Sequence, residues 1–385
     1  MTSNADAHDM QLAESLLKAE ARWLKGFSAE DPFNGNKCLR GFICQEPNYR
    51  YGALALTHVD GAEAPQAIFA TPKLHYPLSR DGAFHFPPAV KQILMYDKLD
   101  GTNVLAYRYH DAAGKPHVTY KLRLSPVLRN SKWGPFFDMW QELIEKHPAI
   151  PKLAERNDCS VSFEMYGRLN THLIVYEEPL AAAVLFGVRA DGSVVPPGQL
   201  DLMGVPSAKL IGQLEAGQDP VANYAEMRES MEKRNRPAEG DKISGTEGAV
   251  WYVETPRGRV TMWKCKPESV ETIHWAASIT KEAVRATCWN YLETGDDLTY
   301  DALLPMLLEE YQIAEIRKFR ESIEICIKQV RDELELKERA LALYDSLGLS
   351  ITKDKIAAMR ALSQHFRKQD MRDVYNAIIG SRSDT

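Results

Sequence analysis

The chain has 385 residues, 44% of them hydrophobic and 26% charged, the balance of a soluble globular protein with material for two to three domains. Its formal net charge of -6 excludes any argument for a nucleic-acid partner from total charge, so a local basic surface would be needed. The six cysteines (Cys38, Cys44, Cys159, Cys265, Cys288, Cys326) form neither a CxxC pair nor a zinc-spaced cluster, and they read as reduced, mostly buried thiols of a cytoplasmic protein.

The N-terminal stretch is acidic and amphipathic, with no apolar core of a signal peptide, and no apolar run approaches transmembrane length, so no membrane partner is expected. Leu12, Leu16, Leu17, Ala21 and Leu24 repeat at helical spacing. "SAEDPFNGNK" follows as a loop signal, then "YGALALTHV" and "QAIFATPKL" as strands. Residues 1–74 form an N-terminal α/β segment whose role is open, including as part of a substrate surface. Residues 75–278 are dominated by short β-type runs: "KQILM", "VLAYRYH", "HVTYKLRLS", "CSVSFEMYG", "AAAVLFGVR", "GAVWYVE" and "RVTMWKCK". Helical segments intervene near 135–147 and 220–234, which gives an α+β domain of antiparallel sheets. Residues 192–245 hold a polar, proline-containing insertion with no assigned role. In 279–385, Ile313, Ile316, Ile323, Ile327, Val330 and Leu334 predict one long amphipathic helix, stopped at "DSLGLS" with Gly348 as its C′ residue. Further helices make this C-terminal domain all-helical.

Five short stretches carry candidate chemistry, and each has an ordinary reading when taken alone. "YDKLDGTN" holds Lys98, Asp100, Gly101 and Asn103; Asp-Gly between two strands is a common hairpin turn. Glu164 in "SFEMYG" is an acid within an apolar strand, either facing water or buried at a cost unless partnered. Phe186 in "LFGVR" is a core aromatic or a ring that stacks on a base. Glu247 and Gly248 in "GTEGAVWYV" form another acid-glycine turn. In "MWKCKP", alternation puts Lys264 and Lys266 on one face of a strand, which suits either a solvated strand end or an anion held between them.

In this order, "KLDGTN", "FEMYG", "FGV", "EGAVWYV" and "KCK" resemble the successive motifs of the covalent nucleotidyltransferase superfamily: DNA ligases, RNA ligases and capping enzymes. The match runs from about residue 73 to residue 266. The resemblance implies an antiparallel-sheet nucleotidyltransferase (ATP-grasp-like ligase) domain. It implies that Lys98 attacks the α-phosphorus of a nucleoside triphosphate, with Lys264 and Lys266 also catalytic. By the same carry-over Asp100, Gly101, Asn103, Arg123, Glu164, Phe186 and Glu247 bind the nucleotide: Glu164 at the ribose, Phe186 on the purine, Asn103 at phosphate or metal-bound water. Glu247 would hold Mg²⁺ or Mn²⁺. Arg123 competes with Lys121 on the same strand face, and Lys73 is a further phosphate contact. Lys264, Lys266 and the metal are expected to lower the pKa of Lys98.

A helical region after the lysine pair, in place of a five-stranded barrel, and the final Asn of "KLDGTN" point to an ATP-dependent RNA ligase that joins 5′-phosphate and 3′-hydroxyl ends. Its RNA is left open among single-stranded, nicked and tRNA-like ends. The C-terminal region has three readings: a homodimer contact, a cap, or an RNA surface built from Lys353, Lys355, Arg360, Arg367, Lys368 and Arg372. The alternatives are a DNA ligase, a GTP-dependent capping enzyme, or a degenerate module that binds RNA ends without catalysis.

Overall fold

A computed structural model describes residues 4–46, 48–77, 84, 86–87, 89–131, 134–240, 242–271, 279–292, 297–311, 313–349, 351 and 354–380. The chain forms two compact units, residues 1–277 and 278–385. The boundary expected at 278 lies within 272–278, outside the described residues, as does Lys353.

The first unit opens with α1 (Asn4–Leu17) and four strands, β1 (Leu24–Asp31), β2 (Lys37–Cys44), β3 (Leu54–Val59) and β4 (Ala62–Ile68), which pair antiparallel in chain order. The helix ends before the expected Ala21 and Leu24, because Lys18 takes a φ of 51°. The polar "SAED" runs as strand β1 instead of loop. Its acid explains this: Asp31 is fully buried and accepts hydrogen bonds from Tyr109 Oη (2.8 Å), Thr119 Oγ1 (2.6 Å), Asn34 Nδ2 (2.7 Å) and the Phe33 amide (3.0 Å). A buried carboxylate with that many donors is satisfied, so the strand can lie against the rest of the unit.

The chain continues through β5 (Gln92–Lys98), β6 (Thr102–His110), β7 (Pro116–Lys121), α2 (Phe136–Lys146), α3 (Ile150–Arg156), β8 (Ser160–Tyr166), β9 (Ala181–Val188), β10 (Val194–Val195), β11 (Leu210–Glu215) and α4 (Pro220–Arg234). A short hairpin, β12 (Arg236–Pro237) and β13 (Ile243–Ser244), then leads to β14 (Gly248–Glu254) and β15 (Val260–Cys265). Two antiparallel sheets result, in the orders β10-β9-β8-β6-β7 and β11-β5-β14-β15. The first buries Val104, Val161 and Phe163 under Trp140 and Leu143 of α2. Its opposite face sets Leu105, Tyr107 and Tyr109 against Leu39, Leu54 and Leu56 of the N-terminal sheet. Tyr96, Val250 and Tyr252 of the second sheet meet Phe186 and Val188 of the first. Helix α4 covers the other side of the second sheet with Tyr224 and Met231. This helix and its hairpin occupy much of the insertion that the sequence left without a role.

Strands β5 and β6 lie in different sheets and do not pair. Asp100-Gly101 is therefore no hairpin turn; it passes the chain from one sheet to the other.

The second unit is helical: α5 (Lys281–Leu292), α6 (Tyr300–Glu310), α7 (Ile313–Lys318), α8 (Arg320–Ser346), α9 (Lys355–Leu362) and α10 (Met371–Gly380). No strand occurs among its described residues. The single long helix expected from the Ile/Val repeat is interrupted at Phe319 (φ -98°, ψ 12°), although its amide still donates to Glu315 O (3.1 Å). Gly348 does end α8, with φ 57°. Its amide donates to Asp345 O and the Leu349 amide to Tyr344 O, the paired bonds of a Schellman cap.

Candidate active site

The ends of three adjacent strands place the principal charges. β14 pairs with β5 and β15, so Lys98 at the end of β5, Glu247 just before β14 and Lys266 just after β15 emerge together. Lys98 Nζ donates to Glu247 Oε2 at 2.5 Å, and Lys266 Nζ lies 2.7 Å from Oε1. Glu247 is thus bridged by two ammoniums, with a side chain only 4% exposed, while Lys98 keeps 21%. Burial alone would raise the Glu247 pKa, but Lys98 and Lys266 hold it down at about 2. Gly248, singled out by the sequence, is required here. Its φ is 150°, and a Cβ would fall 2.3 Å from Cys265 O.

Lys98 departs from expectation. Burial works to lower its pKa, but Glu247, Glu164 and Asp100 outweigh burial and raise it above the ordinary lysine value. Lys98 is an ion-paired ammonium. Its neighbour Lys264 is the lysine pushed down, to about 7, by burial and by Lys266, Lys98 and Lys73. Lys264 Nζ sits 4.5 Å from the centre of the Tyr76 ring, a cation–π contact. Tyr76 hydrogen-bonds Glu271, which is paired with Arg228 of α4.

The first sheet supplies the facing groups. Asn103 on β6 pairs in register with Glu164 on β8, so both project from one face. Glu164 is 9% exposed and has no protein hydrogen-bond partner among the described residues. Burial, first, lifts its carboxyl pKa to about 8 against the opposing pull of Lys98 and Arg123. Asn103 Nδ2 donates to Ser162 Oγ (2.9 Å) and Phe163 O (3.0 Å), and its buried Oδ1 has no hydrogen-bond partner. Arg123 comes close enough to act on Glu164. Lys121, its rival from the sequence, is fully buried and donates to Leu122 O and Arg123 O.

Two expected nucleotide contacts are placed otherwise. Asp100 Oδ2 accepts the amides of Leu173 (2.5 Å) and Ile174 (2.7 Å), and the Asp100 amide donates to Tyr176 Oη (2.7 Å). Its carboxylate therefore fixes the loop after β8, its charge answered by backbone dipoles. Phe186 is 2% exposed within the apolar contact between the two sheets, edge-on to Tyr252. That placement is the one expected of a core aromatic. Gly101 is required for a different reason from the one a turn suggests. Its φ is not positive, but a Cβ would lie 2.2 Å from Met165 O on β8.

Sequence reasoning missed Tyr76, Arg228, Glu271 and Tyr176. All four act through partners distant in the chain, and none has a local pattern. The burial of Lys121 follows from register: it pairs with Leu105 of β6, whose face packs on the N-terminal sheet.

No family model matches the chain, and no curated protein matches it. Solved structures do. Two forms of an archaeal ATP-dependent RNA ligase are similar at 16% and 15% identity, with TM-scores of 0.43 and 0.44, covering 78% and 80% of this chain and 74% and 76% of theirs. A chain from Aquifex aeolicus described as a candidate ATP-dependent DNA ligase is similar at 12% identity and TM-score 0.40, over 92% of this chain and 87% of its own. An RNA ligase of Naegleria gruberi is similar at 13% identity and TM-score 0.34, over 66% of this chain and 99% of its own.

Proposed function

We propose that the chain is an ATP-dependent RNA ligase of the covalent nucleotidyltransferase superfamily, working through a lysyl-AMP intermediate on Lys98. The observation that carries this reading is the convergence of Lys98, Glu164, Glu247, Lys264 and Lys266, drawn from separate strands, on one largely buried site whose motif order resembles that family's. Buried ion pairs of this density are poor stabilisers, so a site of this composition is better explained by chemistry.

In the first step Lys98 Nζ, once it has released its bond to Glu247 and lost a proton to solvent, to which its side chain is 21% exposed, attacks the α-phosphorus of ATP. The N–P bond forms, the bond to the β-phosphate oxygen breaks, and pyrophosphate leaves. Lys266 and the protonated form of Lys264 are placed to stabilise charge on the phosphate oxygens. Glu164, lacking protein donors, accepts the ribose hydroxyls, and Arg123 lies beside it. AMP then passes to an RNA 5′-phosphate, and attack by a 3′-hydroxyl releases AMP.

Of the oxygens expected to hold a magnesium or manganese ion, the buried Asn103 Oδ1 is without a partner and could serve as a ligand, whereas Glu247 would serve only once its bond to Lys98 or Lys266 is released. Such ions keep water and phosphate oxygens as their other ligands, so few protein oxygens are needed. When bound, the ion neutralises the triphosphate and favours departure of pyrophosphate.

The helical second unit, where DNA ligases and capping enzymes carry a β-barrel, supports RNA as substrate. A chain ending before that unit tests its part. Adenylylation kept with sealing lost supports an RNA-binding role, and a fall in the number of subunits by light scattering supports a dimer contact. No described helix is long and apolar enough to cross a membrane; a cytoplasmic site is part of the proposal.

The test is incubation of the pure protein with α-labelled ATP or GTP and Mg²⁺, followed by a denaturing gel and intact mass. An AMP-sized adduct absent from Lys98→Ala is expected. A GMP adduct would move the reading to capping. No adduct with either, from protein shown free of AMP beforehand, would leave a non-catalytic RNA-end module.

A further inference from the structure

Lys121 is 0% exposed at the end of β7. Its Nζ donates to Leu122 O at 2.7 Å and to Arg123 O at 2.8 Å, and no carboxylate is among its described partners. Burial, first, and the Arg123 charge push its pKa down to about 7, so keeping this amine there is costly, and an apolar side chain of equal length would fill the slot without that cost. What an apolar side chain cannot do is draw two successive carbonyls inward. With both carbonyls turned to Nζ, the backbone of residues 122–123 is held at the strand end from which Arg123 acts on Glu164.

A second contact meets the same peptide from the N-terminal segment. Gly52 has φ 78°, and a Cβ there would lie 2.2 Å from Arg123 O and 3.5 Å from Lys121 Nζ. The Gly52 amide donates to Cys44 O at 2.8 Å, so the loop is tied to the end of β2. Glycine is what allows the N-terminal segment to press on the Arg123 carbonyl.

We propose that Lys121 and Gly52 clamp the Arg123 peptide from two sides, making Lys121 a positioning residue for Arg123 at the nucleotide site and giving residues 1–74 a part in catalysis. The inference rests on the adenylylation reading above. Arg123 is the group that meets the nucleotide; Lys121 and Gly52 act through it.

The experiment measures the rate of adduct formation against ATP concentration for the full chain and for Lys121→Met, Gly52→Ala, Arg123→Ala and the Lys121→Met/Arg123→Ala pair. Lys121→Met keeps the length of the stem. Lys121→Gln, which retains donors for a carbonyl, is included as the conservative variant, and a thermal midpoint is recorded for each protein. Lys121→Met and Gly52→Ala are expected to lower the rate at subsaturating ATP by about tenfold or more. Lys121→Gln is expected to recover part of the loss, and Lys121→Met is expected to cost nothing further once Arg123 is alanine. If Gly52→Ala does not fold, the Lys121 series decides. An unchanged Lys121→Met rate, or an equal further loss on top of Arg123→Ala, overturns the clamp. Absence of adduct in the unaltered protein instead overturns the reading of Lys98, and with it the role given to Arg123.

Discussion

Replacing Glu247 by glutamine tests the charge arrangement of the site most directly. The change keeps shape and removes one negative charge that two ammoniums share, from a side chain 4% exposed. Removing one partner of a buried pair costs about 3–5 kcal/mol, because the remaining charge is left uncompensated. A second route gives a similar size. The carboxyl is held at about 2 against an ordinary 4.5, and at 1.36 kcal/mol per pH unit this corresponds to about 3 kcal/mol. A depressed carboxyl stabilises the fold above its ordinary value and loses that contribution as pH falls toward about 2. The variant should therefore be less stable than the unaltered protein at pH 7, with the gap closing between about pH 4.5 and about pH 2. Urea unfolding followed by tryptophan fluorescence across that range measures it, since six of the seven tryptophans lie in residues 1–277. Equal stability of the two proteins at pH 7, or a gap that does not change with acid, would refute the doubly bridged carboxylate.

Glu164→Gln should behave in the opposite sense. Its carboxyl is raised to about 8 by burial, so the native protein loses stability as pH rises from about 4.5 to about 8. Thermal midpoints of the variant should gain on the unaltered protein over that interval. Gly101→Ala forces a Cβ against Met165 O and should cost about 1–3 kcal/mol in denaturant unfolding. Asp100→Ala leaves the Leu173 and Ile174 amides without their acceptor; a loss of about 1–3 kcal/mol and faster proteolytic cleavage within residues 168–176 are expected.

The sequence disclosed the elements that have their own periodicity. β8, β9, β14 and β15 follow from β-branched and aromatic runs, α4 is matched at both ends, and the helical character of the second unit follows from the apolar spacing between Ile313 and Leu334. What local pattern cannot disclose is the partner of a strand end. "YDKLDGTN" has the composition of a hairpin, yet β5 pairs with β11 and β14 while β6 pairs with β7 and β8. Asp31 made β1 look like a loop because the donors that satisfy it come from positions 109 and 119. Lys98, Glu164, Glu247, Lys264 and Lys266 were legible as candidates from their order. The state of Lys98 was not, because it depends on whether Glu247 or the lysines stand nearer. The interruption of the long helix at Phe319 has no glycine or proline to announce it.

The distribution of hydrogen-bond partners among the acids separates support from chemistry. Asp31 and Asp100 are buried and answered by protein donors, and each ties one element to another. Glu247 is answered by two lysines, an arrangement that holds charge in place and keeps Lys98 a protonated ammonium. Glu164 is nine-tenths buried with no such donor among the described residues, and its raised pKa is the consequence. A strand that buries a carboxyl without donors loses stability, and an alanine there would avoid the loss. On the adenylylation reading the missing donors arrive with the nucleotide: ribose hydroxyls bond Glu164 while the phosphates engage Lys266 and Lys264 and compete with Glu247 for Lys98. Binding and release of the nucleophile are then one event. An ATP titration of Lys264→Met, which removes a phosphate contact and keeps the Lys98–Glu247 pair, should accordingly slow adduct formation more than it weakens binding. An equal effect on both would separate the two events and sink this coupling.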